Sequence, residues 1–279
     1  MGQTIACANQ KGGVGKTTTV VNLGTYLSLS GLRVLIVDTD PQGNATSGLG
    51  IARETLPATL YDALTGSVEL SDIVVPTAVP GLFVVPSTVG LAGAEVELAD
   101  LEQRERRLAR LLAGVAADYD YILLDCPPSL GLLTVNALTA ADAVLIPLQC
   151  EYYALEGLTQ LIATVHLVRD HLNPRLDIKG VVLTMFDGRT NLSADVAAEA
   201  RRHLGAAVFD TVVPRSVRLS EAPSYGLPIA LHGPDSKGAR AYEALAVEFS
   251  GRNGRPAAGS GTAPAIPVGD RVPALSAHS

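Results

Sequence analysis

The sequence predicts an α/β protein built on a mostly parallel, twisted β-sheet with helices on both faces. Three observations carry that expectation. Short runs that are apolar throughout alternate with stretches of helical length. The runs do not alternate polar with apolar, as strands covered on both faces need not. Strand-then-helix alternation is the pattern of parallel sheets, whose crossovers are helical.

The elements follow in order. "TIACA" (4–8) is the first expected strand, and a glycine-rich loop separates it from the helical stretch "TTTVVNLGTYLSLSG". "RVLIVD" (33–38), "LFVVP" (82–86), "YILLD" (121–125), "AVLIPL" (143–148), "GVVLTMF" (180–186) and "TVVP" (211–214) are the further strands. A single helix is expected over 95–117, where Leu101, Leu108, Leu111, Leu112 and Val115 share one face and Arg and Glu residues point outward. From Ser250 onward, Gly, Pro, Ala and Ser dominate without periodicity. Residues 1–250 are therefore expected to form the folded domain, and 251–279 a flexible tail.

Composition narrows the function. Hydrophobic residues make up 47% and charged residues 18%, a balance that suits a compact core. A net charge of −7 gives no global basic field, so any contact with nucleic acid must come from a local patch. Cys7, Cys126 and Cys150 show no C-x-x-C spacing and are expected as reduced, buried small hydrophobes. The first strand is too short for a signal sequence, and no apolar run is long enough for a membrane span. A cytoplasmic protein is expected.

The chemistry concentrates in "NQKGGVGKTT" (9–18). Gly15, Lys16 and Thr17 complete a phosphate-binding loop of the form G-x-x-x-x-G-K-[ST], but Gln10 takes the place of the leading glycine and Lys11 follows it. Gly12, Gly13 and Gly15 free backbone N–H groups to cradle phosphate oxygens, and the following helix adds its positive end. Lys16 is expected on the β- and γ-phosphates and the Thr17 hydroxyl on Mg²⁺. Two apolar strands end in carboxylates, "RVLIVDTDPQGN" in Asp38 and Asp40, and "YILLDCPPS" in Asp125. Carboxylates at such ends can hold Mg²⁺, so Asp38 and Asp125 join Thr17 as metal candidates. The "DPQGN" turn would present Asp40 on a mobile loop to orient the attacking water.

These motifs closely resemble the deviant Walker A ATPases, a class of P-loop NTPase, and within them the ParA/Soj chromosome-partitioning branch. "QCEYYALEGL" (149–158), "MFDGRTNL" (185–192) and "VRLSEAPSYG" (217–226) extend the resemblance over roughly residues 1–250. The resemblance implies an ATPase that dimerises on ATP. Lys11 would reach across the homodimer to the nucleotide of the other subunit, as an arginine finger does. Lys11, Lys16 and Asp40 are then the catalytic candidates. The nucleotide site would comprise Lys11, Gly12, Gly13, Val14, Gly15, Lys16, Thr17 and Thr18, with Met185, Pro214 and Ser216 around the adenine. Relatives often read P-R-N where this chain has Pro214-Arg215-Ser216, so a hydroxyl stands in place of an amide. ATP and Mg²⁺ are the implied cofactors. The implied partners are non-specific double-stranded DNA of the nucleoid and a ParB/Spo0J-like centromere-binding protein that stimulates hydrolysis.

Residues 187–240 hold seven Lys or Arg against six Asp or Glu, with fourteen against twenty-two elsewhere. Arg189, Arg201, Arg202 and Arg218 are the expected phosphate contacts. Aromatics at 4% disfavour base stacking, and with nine residues before the loop no helix-turn-helix domain is expected. The alternatives are a MinD-like membrane-cycling ATPase or a regulator of replication initiation. The first needs a basic amphipathic C-terminal helix, which Pro256, Pro264, Pro267 and Pro273 interrupt.

Overall fold

A computed structural model describes residues 2–151 and 154–252. Its elements run β1 (Gln3–Cys7), α1 (Lys16–Leu29), β2 (Val34–Asp38), α2 (Asn44–Gly48), α3 (Leu60–Thr65), β3 (Val75–Pro76), β4 (Leu82–Val85), α4 (Leu91–Glu97) and α5 (Arg107–Ala113). They continue with β5 (Tyr121–Asp125), α6 (Leu132–Ala140), β6 (Ala143–Gln149), α7 (Ala154–His171), β7 (Asp177–Phe186), α8 (Asn191–Leu204) and β8 (Val208–Pro214). Three helices close the described chain: α9 (Val217–Glu221), α10 (Ile229–His232) and α11 (Lys237–Gly251). The expected tail, apart from its first two residues, lies outside the described residues, as do residues 152–153 of the 149–158 motif.

The eight strands form one sheet in the order β3-β4-β2-β5-β1-β6-β7-β8. Every pairing is parallel except β3 with β4. Along each central strand, successive side chains enter opposite cores, following the period of two. Ala6, Leu35, Ile122 and Val144 join the layer packed against α3 to α8, whereas Ile5, Ile36, Leu123 and Leu145 face α1, α2 and α9 to α11. This two-sided burial explains why the strands are apolar throughout.

All seven expected strands are present, within a few residues of their expected ends. β3 went unforeseen because two residues ending in proline carry no strand signal. The single helix expected over 95–117 is broken. α4 stops at Glu97, a 3-10 turn occupies Arg104–Arg106, and α5 covers only Arg107–Ala113. Gln103, between them, takes a positive φ of 54°. Leu108, Leu112 and Val115 reach the core as expected, but Leu101, displaced by the break, is 43% exposed.

The two outer edges of the sheet are finished differently. At one edge lies the short β3, with Pro76 exposed. At the other, Glu248 of α11 accepts hydrogen bonds from the backbone N–H groups of Asp210 and Thr211 (2.8 and 2.9 Å). Arg252 donates to the carbonyls of Ala206 and Val208 (3.0 and 2.9 Å). The helix ending at Gly251 thus runs slightly past the boundary expected at residue 250. No helix among the described residues is long and apolar enough to cross a membrane.

Candidate nucleotide site

β1 lies mid-sheet, flanked by β5 and β6, so the loop after it opens where connections leave in both directions. That is the place at which open parallel sheets bind ligands. Residues 9–15 leave β1 and turn into α1. Gly13 and Gly15 adopt φ of 74° and 88°, a left-handed turn that brings successive N–H groups to one side. Gly15 is the N-cap of α1 and has no capping side chain, so the first N–H groups of the helix stay available. Gly12 and Gly13 are exposed at the rim, while Val14 is buried and its carbonyl accepts the Thr184 hydroxyl of β7 (2.8 Å). The loop is thereby anchored from below.

The two lysines lie differently. Lys16 is only 7% exposed, and its Nζ donates to the carbonyl of Lys11 (3.3 Å) across the loop. Lys11 stands at the rim, with Nζ 3.1 Å from Glu151 Oε2. Asn9 shapes the turn between them: its side chain accepts from the Lys11 N–H (3.0 Å) and donates to the carbonyl of Pro147 (2.8 Å).

Under the loop, β2 and β5 set Asp38 directly beside Asp125, and β1 sets Cys7 on the other side of Asp125. Both carboxylates are completely buried. Asp38 is well supplied, accepting from the Thr46 N–H (2.8 Å), the Thr46 hydroxyl (2.7 Å) and the Asp40 N–H (3.2 Å). Burial nevertheless pushes its carboxyl up to about 6. Asp125 has no hydrogen-bond partner on either oxygen. Burial, then the charge of Asp38, raises it well above the usual carboxylate range. The Thr17 hydroxyl is near enough to counter part of that rise without meeting hydrogen-bond geometry. A buried, unpartnered carboxylate is costly unless something positive comes to it.

Asp40 is 7% exposed, and its turn is tied down rather than left loose. Its Oδ1 accepts from the Gln42 N–H (2.9 Å), and its carbonyl accepts from Gly43 N–H (2.9 Å) and the Ser87 hydroxyl (2.8 Å). Ser87, fully buried after β4, also donates its N–H to the Thr46 hydroxyl (2.9 Å). Ser87 and Thr46 were not foreseen from the sequence. The faint signal was a Ser at the end of one apolar strand and a Thr in the helix after the "DPQGN" turn.

Beside α1 lies a cavity of about 280 Å³ lined by Gly15, Thr18, Met185, Pro214, Ser216 and Tyr242, among others. Three positions expected around a base, Met185 and Pro214 at strand ends and Ser216 at the start of α9, thus meet in one place next to the phosphate loop. Met185 holds a φ of 50°, a strained value for its type where β7 ends over the cavity.

The four arginines expected to touch DNA do not form one patch. Arg189 precedes α8 at the carboxyl edge of the sheet, and Arg201 and Arg202 end that helix. At 1.5 Å per residue they are separated by roughly 18 Å. Arg218, on α9 after β8, shares the edge of Arg189. Three of the four are already paired: Arg189 with Asp187 (2.7 Å), Arg202 with Glu199, and Arg218 with Glu221 (3.3 Å). Arg201 donates to the Asp210 carbonyl (3.4 Å). The cysteines are all free and buried, and burial pushes the Cys126 thiol up to about 12. Among the described residues no group of three or more His, Cys, Asp and Glu side chains is placed to hold a metal.

An AAA domain family model matches residues 2–178. The sporulation initiation inhibitor protein Soj of Bacillus subtilis is 58% identical over 250 residues, spanning 90% of this chain and 99% of that protein. The chain belongs to the ParA/Soj family. The chromosome partitioning protein ParA of Caulobacter vibrioides is 54% identical over 252 residues, 90% of this chain and 94% of its own. Among solved structures, cobyrinic acid a,c-diamide synthase from Mycobacterium smegmatis with bound ADP and magnesium superposes with a TM-score of 0.80 at 39% identity. It covers 92% of this chain and 99% of that one. The ParA/Soj relatives stand nearer in sequence, and the expected fold, a P-loop NTPase sheet, is the one observed.

Proposed function

We propose that this ParA/Soj family member is a chromosome-partitioning ATPase that dimerises on binding ATP with Mg²⁺, holds DNA as the dimer, and is reset by hydrolysis. Asp125 carries the reading. Its two buried oxygens without a hydrogen-bond partner lie at a strand end beside Thr17 and below Lys16, where a divalent cation would complete them. Mg²⁺ supplies positive charge to the phosphates when bound. Thr17 and Asp125 are the groups with capacity left over for it. Asp38, with three of a carboxylate's roughly four lone-pair directions taken, contributes mainly by setting Asp40 and Thr46.

The other residues fall into place around that centre. Backbone N–H groups of residues 12–17 cradle the phosphates, and Lys16 exchanges the Lys11 carbonyl for phosphate oxygens. Asp40, pinned by Ser87 and the Gln42 N–H, orients water for attack on the terminal phosphate. Met185, Pro214 and Ser216 enclose the base in the adjoining cavity. Lys11, exposed at the rim, meets the nucleotide of a second copy. Arg189 and Arg218 lie on the same edge, so assembly brings two such pairs together. A ParB-like partner accelerates the reset.

The test is sedimentation and duplex-DNA anisotropy with ATP, ADP and no nucleotide, at two salt concentrations. A dimer and DNA binding are expected with ATP and Mg²⁺ alone. Equal DNA binding in ADP and ATP would sink the coupling.

A further inference from the structure

We propose that Glu151 is a positioning residue that latches Lys11 onto its own subunit and so sets the threshold for assembly. This rests on the reading above, in which Lys11 acts across the dimer. Glu151 lies just beyond β6, beside the phosphate loop. Its Oε2 is 3.1 Å from Lys11 Nζ. Its Oε1 accepts a hydrogen bond from the Gln149 side chain and faces Arg215 Nη2 at 3.8 Å. One carboxylate therefore ties the rim lysine of the loop to Arg215, which lines the base-side cavity.

The arrangement opposes assembly. A lysine that must meet a neighbour's phosphates has to leave Glu151 first. Lys11 and Glu151 are 40% and 42% exposed, so the pair is solvated and weak enough to exchange, and it is formed in the single chain without nucleotide. Polyphosphate outcompetes one carboxylate for an ammonium, which makes release conditional on nucleotide and partner together. Gln149 and Arg215 hold Glu151 in place, so the latch is built and does not depend on a single flexible contact. Lys16, bonded to the Lys11 carbonyl, moves with the same rearrangement once phosphate arrives.

The latch predicts a direction. Glu151→Gln removes the charge, keeps the shape, and frees Lys11. An exposed ion pair changes an equilibrium by a factor of roughly 1.4 to 5, and a dimer opens two of them. Dimerisation with a slowly hydrolysed ATP analogue should therefore tighten by about 2- to 30-fold. Glu199→Gln, the same loss of charge on the far end of α8, serves as the control and should behave as wild type. Glu151→Asp, which keeps the charge on a shorter side chain, should return dimerisation toward wild type. A second readout needs no dimer: in the nucleotide-free chain, acylation of Lys11 followed by mass spectrometry should be faster in Glu151→Gln, with Lys16 unchanged. Equal Lys11 reactivity, or dimerisation unchanged or weakened in Glu151→Gln, overturns the latch. A wild-type chain that stays monomeric with ATP refutes the switch itself and with it the latch's purpose, while the reactivity comparison still reports whether the contact exists.

Discussion

At the scale of single residues, the loop's chemistry follows from how few partners its charged groups have. Lys16 is buried against one carbonyl, so its charge awaits a stronger acceptor. Lys16→Ala should weaken ATP binding by about 10- to 100-fold for each charge-assisted hydrogen bond to phosphate that it removes, read by calorimetry. Unchanged affinity would refute the phosphate-loop assignment. Asp40→Ala removes a carboxylate whose backbone stays pinned by Ser87 and Gly43. It should bind ATP and remain dimeric in size-exclusion chromatography, while phosphate release falls by about 100-fold or more. Turnover at the wild-type rate would move the catalytic role to another group. That Lys11, Lys16, Thr17, Asp38, Asp40 and Asp125 lie around one loop and the strand ends beneath it was legible in the sequence, because a phosphate loop and acidic strand ends are local patterns. Ser87 and Thr46 could not be read there, since their importance arises only when β4 and α2 are packed together.

At the scale of elements, β7 carries an irregularity that repays a test. Its pairing with β6 skips a residue between Ile178 and Gly180. Gly180 has a φ of 152°, and a Cβ there would lie 2.6 Å from the Ala207 carbonyl oxygen and 2.7 Å from the Phe209 ring. Gly180→Ala should cost about 2–4 kcal/mol through strain and overpacking. In a domain of this size that lowers Tm by roughly 4–15 °C. A Tm within a degree of wild type would mean that β7 can straighten at no cost. α11 offers a pH test. Burial works to raise the Glu248 carboxyl, but the hydrogen bonds from Thr211 and Asp210 outweigh it and hold it below its ordinary value. A depressed carboxylate stabilises fully above its unfolded value, about 4.3, and the contribution is lost as pH falls through the folded one. Glu248→Gln should therefore lower stability near neutrality and flatten the acid limb of the stability curve. Parallel acid limbs in the two proteins would exclude this role. The seven longer strands were legible because burial on both faces writes unbroken apolar runs. The break at Gln103 was not, because the apolar spacing over 95–117 fits one helix as well as two short ones.

For the whole molecule, the DNA contact proposed above has to arise on a chain of net charge −7. The sequence pointed to four arginines, but distance along the chain says little about which end of a helix each occupies. With Arg201 and Arg202 at the far end of α8, Arg189 and Arg218 at the carboxyl edge are the pair that the proposed assembly would double. Arg218→Ala should weaken binding to all duplex sequences alike and reduce the slope of log affinity against log salt by about 0.9 for each phosphate no longer neutralised. Each dimer gives up two such phosphates. The measurement is fluorescence anisotropy on random duplexes across a salt series, with dimerisation checked in parallel. An unchanged slope would return the site to Arg201 or Arg202. ATP-dependent dimerisation itself should be untouched by this change.

The finished edges of the sheet bear on what such a protein can become at high local concentration. A strand from another copy recruited at one side would meet Pro76, which has no N–H to offer, on a strand only two residues long. At the other side it would find N–H groups of Asp210 and Thr211 taken by Glu248, and carbonyls of Ala206 and Val208 taken by Arg252. Both margins are thereby blunted against recruiting a further strand. Crowding many copies onto one surface would then leave growth to the loop-bearing edge, where the assembly proposed above depends on nucleotide and is undone by hydrolysis.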